Sequence, residues 1–238
     1  MHISLGQNCF PAIFLKKSKF QQSKINGGKT MVFDICLSTY FGIVKMFENN
    51  LSEKYFLEHI QVVSNPSSVI FKNKYPNNVL MYSRNNKMIY GDIIISDIGF
   101  IFNHESPGNV SLCREQKWSS PHMFTKDELK MFKDRYSSRI FAMRKYIEYA
   151  VENEEEVQFH LNTFVVPIKL RTAIRKTYPT LKFKIIVYKV SAEVQNVFND
   201  FSIYKGDPKF YLYNEELIDD NKTYGSIDNI EFSKIVLK

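Results

Sequence analysis

A strand–helix–strand run in the second half of the chain constrains the fold more than any other feature. Val157-Gln158-Phe159-His160-Leu161 alternates like a strand, Lys169 to Tyr178 has helical spacing, and Lys182 to Val190 reads as a buried strand. A strand, a crossover helix and a second strand in that order make a βαβ unit, whose strands pair in parallel. Parallel strands need helices over their faces, and the chain supplies them. Thr125-Lys126-Asp127-Glu128 is a capping box. Behind it Leu129, Phe132, Tyr136, Ile140, Met143, Ile147 and Ala150 recur by threes and fours, a helix of about two dozen residues. Its other face carries Lys130, Lys133, Arg135, Arg139, Arg144 and Lys145, expected to be solvated, with an anion-binding face as the alternative.

The first half is more broken. His2 to Leu5 is a short strand, and Cys9 to Lys17 a helix with Pro11 in its first turn, where proline is tolerated. Ser38 is a candidate N-cap for a helix carrying Phe41, Val44, Phe47 and Leu51, and a second amphipathic piece runs through Phe56. Strand patterns come next at Ser68 to Phe71, Val79 to Tyr82 and Asp92 to Phe102, closed by a loop over Asn103 to Gly108. The expected fold class is α/β: a single domain over residues 1–238 with a mixed, partly parallel sheet flanked by helices. A subdivision near residue 115 is the alternative, and residues 200–238 read as an appendage of short strands.

Composition narrows the function. The net charge of +7 favours anionic ligands, although the basic residues are spread along the chain and no nucleic-acid-binding motif occurs. No stretch of about 18 apolar residues is present, so no membrane span is expected. Cys9, Cys36 and Cys113 are odd in number and far apart, which fits a reducing, cytoplasmic setting better than a disulfide framework. Paired His or Cys spacing is lacking, so a metal site is not expected. Neither a phosphate-binding P-loop nor a Gly-x-Gly-x-x-Gly turn occurs.

Chemistry concentrates at Ser4-Leu5-Gly6-Gln7-Asn8-Cys9, a strand, a turn with a thiol, and a helix start. The unpaired N–H groups of a helix N-terminus carry about half a positive charge, which favours thiolate over thiol. Cys9 is therefore a candidate nucleophile; a small buried residue at a tight turn is the alternative. A nucleophilic thiol needs a base and a group to orient it. His104, in a loop at a strand end, is the candidate base, and His160 the alternative, although a structural histidine is the favoured reading of His160. Backbone N–H groups near Cys9, with the amides of Gln7 or Asn8, are candidates for oxyanion or substrate binding, or cap the turn locally. His2, His59 and His122 have no such context.

The ordered motifs resemble a family of papain-like cysteine peptidases of unassigned function. That family opens with Ser-Leu-Gly-x-x-Cys, matched by Ser4, Leu5, Gly6 and Cys9. Its Phe-Asp-Trp is answered by Phe33-Asp34 with Ile35 in place of Trp, and its His-Asp by His104-Glu105. An Arg-containing helix comes after it, here with Arg135 and Arg139. The resemblance implies Cys9 as nucleophile, His104 as general base and Asp34 as its orienting acid, with Glu105 as the other choice. Gln7-Asn8-Cys9 also resembles the Gly-Asn-Cys turn of capsular-polysaccharide acetyltransferases, enzymes of polysaccharide biosynthesis. That likeness implies acyl transfer from coenzyme A. The first implies a hydrolase needing no cofactor. Both act by acyl transfer through the Cys9 side chain, on a peptide, ester or glycan; a non-catalytic binding module on the same fold is the remaining alternative.

Overall fold

The structure, a computed structural model, describes residues 1–6, 10–17, 19–20, 29–34, 36–63, 93–102, 105, 124–162, 167–189 and 209–213. Among them two four-stranded sheets share one core. The first contains β1 (His2–Gly6), β6 (Glu156–Asn162), β7 (Lys182–Lys189) and β8 (Lys209–Tyr213), in the order β1-β6-β7-β8. Pairs β1–β6 and β6–β7 are parallel and β7–β8 is antiparallel, so the sheet is mixed and partly parallel. The βαβ unit is present as β6, α5 (Ile168–Thr177) and β7.

The second sheet is antiparallel throughout. It contains β2 (Leu37–Ser38), β3 (Ile60–Val63), β4 (Ile93–Ser96) and β5 (Phe100–Ile101), in the order β2-β5-β4-β3. Sequence periodicity does not separate this sheet from the first. Two of its strands have only two residues, too few to show alternation. The strands expected at Ser68 to Phe71 and Val79 to Tyr82, and all of the expected 200–238 appendage except 209–213, lie outside the described residues.

Helices cover the parallel sheet because its alternation buries both faces. Val157, Phe159 and Leu161 of β6 and Phe183, Ile185 and Val187 of β7 enter the shared core. There Phe159 meets Phe47 of α2 (Tyr40–Glu48) edge-on, with ring centroids 5.7 Å apart. Gln158 and His160 face the other way, as the alternation requires. α1 (Phe10–Lys17) packs against β1 and β6.

The long helix is α4 (Lys126–Glu152), and its capping box forms as the sequence reads: Glu128 N–H donates to Thr125 Oγ1, and Thr125 N–H to Glu128 Oε2. Phe132 and Tyr136 on its inner side pack against Phe102, tying α4 to the second sheet. α3 (Glu53–Glu58) adds Phe56, stacked on Tyr136.

Two expectations need correcting. The N-cap of α2 is Thr39, whose hydroxyl accepts from Gly42 N–H; Ser38 belongs to β2, and its hydroxyl donates instead to the Leu5 carbonyl. The basic face of α4 is not uniformly solvated either, for Arg139 is buried. The buried carboxylate of Glu105 draws it inward.

Candidate active site

The site begins where β1 leaves the sheet. Ser4 pairs with His160 and Gly6 with Leu161, so β1 carries one extra residue at Leu5. A bulge of this kind bends a strand and re-aims the residues beyond it. Gly6 then takes φ +85°, a region glycine enters without strain. The strand ends there, and α1 begins at Phe10, the residue directly after Cys9. The bulge also frees the Leu5 carbonyl, which accepts from Ser38 Oγ at 3.4 Å. Gln7, Asn8 and Cys9 themselves lie outside the described residues, as do His104 and Cys113.

Asp34 is described, and it is buried in a turn that closes on itself. Its Oδ2 accepts from Met31 N–H at 2.9 Å, and its own N–H donates to the Met31 carbonyl. Two residues on, Cys36 is buried and donates to the Val32 carbonyl. Burial first, and the nearby Glu105 carboxylate next, push the Cys36 thiol far up, so it is not a nucleophile at neutral pH.

Glu105, the residue after His104, is the best-held carboxylate of the described residues. Its Oε1 accepts from Arg135 Nη1 at 2.8 Å and Arg139 Nη2 at 3.1 Å. Its Oε2 accepts from Arg139 Nη1 at 2.9 Å and the Tyr136 hydroxyl at 2.5 Å. A carboxylate offers about four lone-pair positions, and these donors fill them. Burial opposes ionisation of Glu105. The Arg139 charge and the bonds from Arg139, Tyr136 and Arg135 outweigh it and hold the carboxyl below its ordinary value. Burial and the same carboxylate raise Tyr136 well above the usual phenol range, so its hydroxyl stays a donor.

Glu105 therefore has no capacity left to orient an imidazole. Its work is to fasten the chain beside His104 onto α4. The i, i+4 pair Arg135 and Arg139, with Tyr136 between them, is the available sequence signal. Charge alone does not show direction, so the same residues read equally as a solvated face.

His160 has a different setting. It is fully buried on β6, and its Nε2 lies 3.0 Å from His2 Nδ1. Burial, then the neighbouring His2, lower it well below the usual imidazole range, and burial brings His2 down to about 4. Both rings are neutral at physiological pH and share one hydrogen-bonded proton. A base is most effective with a pKa near the working pH, and this pair is far from it.

Three segments thus meet beside the carboxyl end of β1. Ser38 reaches Leu5, and the Cys36 thiol feels the charges of Glu105, Arg139 and Asp34. Met31, Val32, Phe33 and Cys36 share a core cluster with Tyr136 of α4, whose hydroxyl bonds Glu105. Among the described residues, no three His, Cys, Asp or Glu side chains converge as a metal centre requires. None of their helices is long and apolar enough to cross a membrane. Compared with family models, curated proteins and solved structures, the chain finds no match.

Proposed function

We propose that the chain is a cysteine-dependent enzyme of acyl transfer or hydrolysis, with Cys9 as nucleophile and His104 as general base. The observation that supports this is the packing around the carboxyl end of β1. The end of β1, the segment that carries Asp34, and Glu105, the residue after His104, come from three separate sequence motifs: Leu5 accepts from Ser38, and Cys36, two residues after Asp34, lies in one core cluster with Tyr136, which bonds Glu105. Ligand sites of parallel sheets sit at that end of the strands.

In this reading the His104 imidazole takes the Cys9 proton as the sulfur attacks a carbonyl carbon. The new C–S bond leaves a tetrahedral oxyanion, stabilised by N–H groups at the start of α1 and by the Gln7 or Asn8 amide. The imidazole returns the proton to the leaving group as the intermediate collapses to a thioester. Water, or an acceptor hydroxyl, then releases the acyl group by the same steps. Asp34 is the acid that orients the imidazole, because Glu105 is fully engaged. His104 is preferred to His160 because His160 Nε2 is already bonded to His2 and its basicity is depressed.

Competitive alkylation tests the reading. With limiting iodoacetamide, mass spectrometry should find Cys9 modified well before Cys36 and Cys113, and His104→Ala should slow that reaction where His160→Ala does not. Turnover of an activated ester or a peptide should vanish in Cys9→Ala. If Cys9 reacts no faster than the other two thiols and no Cys9-dependent turnover is found, the fold is a binding module. Stabilisation of the native chain by coenzyme A, read as a raised melting temperature, would identify the acyl donor of a transferase.

A further inference from the structure

A second feature lies on the outer side of α2 and α5 and does not depend on Cys9. The two helices run parallel, held together at both ends. Near their starts Leu170 N–H donates to the Tyr40 hydroxyl, and near their ends Thr177 Oγ1 donates to the Phe47 carbonyl. Between them runs an open groove of about 1190 Å³, floored by Val44 and Ala173. Phe41 and Ile168 stand at its mouth, 60% and 56% exposed. Each would lose apolar surface from water on being covered.

The rims are basic. Lys169 and Lys176 lie on α5 seven positions apart, two helical turns on one face, and neither has a carboxylate partner among the described residues. Lys45 lies on the α2 rim, and Glu48, the one carboxylate among the described lining residues, is bound to it at 2.7 Å. Small-molecule pockets usually enclose roughly 300–1,000 Å³, so the groove suits a chain segment better. A concave trough between two helices receives the ridge of a third, whereas a membrane surface needs an outward-facing patch. We propose that this groove docks an acidic amphipathic helix of a partner protein, its apolar stripe against Phe41, Val44 and Ile168 and its carboxylates at Lys169 and Lys176.

Fluorescence anisotropy with the full chain tests this directly. The probe is a labelled peptide of roughly 14 residues with leucines at i, i+3, i+4 and i+7 flanked by glutamates. Its controls are a scrambled peptide and a lysine-for-glutamate version. The acidic amphipathic peptide should bind best and weaken with salt. The double variant Lys169→Glu, Lys176→Glu should weaken it about tenfold and gain affinity for the lysine version. Phe41→Ser should weaken both peptides, and all variants should keep the parental melting temperature, since these side chains are exposed. Equal binding of the scrambled peptide, indifference to the three substitutions, or binding to phosphatidylserine vesicles but to no peptide would each overturn the proposal.

Discussion

Glu105 shows how one residue can serve a site without taking part in its chemistry. Removing its carboxylate strands two guanidinium groups, one of them buried, and breaking a buried charge pair from one side costs about 3–5 kcal/mol. Glu105→Ala should lower the urea midpoint accordingly. The pH dependence has a definite sign. The carboxyl is held below its unfolded value, so its stabilisation is present above about pH 4.5 and is lost as pH falls through the lower folded value. Acid titration of stability in Glu105→Gln should lack that component, whereas wild type shows it. The sequence offers Asp34 and Glu105 as candidates for orienting an imidazole. Their difference rests on Tyr136, Arg135 and Arg139, about thirty positions further along the chain, and no local pattern reports such a contact.

At the scale of elements, legibility tracks length. α4 and the β6-α5-β7 unit repeat their period often enough to be read directly, and the Thr125 cap obeys its local rule. β2 and β5 are too short to carry a period and exist because their neighbours pair with them. Ser38 and Thr39 are equivalent by composition, and only the nearby Leu5 carbonyl decides which of them caps α2. Two substitutions separate local from tertiary constraint. Thr125→Ala should cost about 1 kcal/mol, the usual loss of a helix cap. Gly99→Ala should cost more, about 1–3 kcal/mol, since Gly99 has φ +106° and a Cβ there would run into the Thr39 hydroxyl. Thermal unfolding of the two variants checks the order.

For the molecule as a whole, the α/β class and the parallel pairing are readable from sequence, while the division into two sheets is not, because strand partners are chosen by tertiary packing. The two sheets share a single core, with Phe100 and Phe102 of one region and Phe159 of the other in the same cluster. Hydrogen exchange in rising urea should therefore expose β4 and β6 amides at one common midpoint; separate midpoints would mean two folding units. The parallel course of α2 and α5 has a kinetic corollary. Antiparallel neighbours cancel their fields at a distance, but these two add, and their starts lie together, joined by the Leu170–Tyr40 bond, after the carboxyl ends of β6 and β2. Positive helix ends on one rim are expected to raise the encounter rate of anions there over that of neutral molecules. Iodoacetate should accordingly gain on iodoacetamide in its rate of reaction with Cys9 as salt is withdrawn, because lowering the ionic strength from about 0.1 to 0.01 M lengthens the reach of that field from roughly 10 to 30 Å.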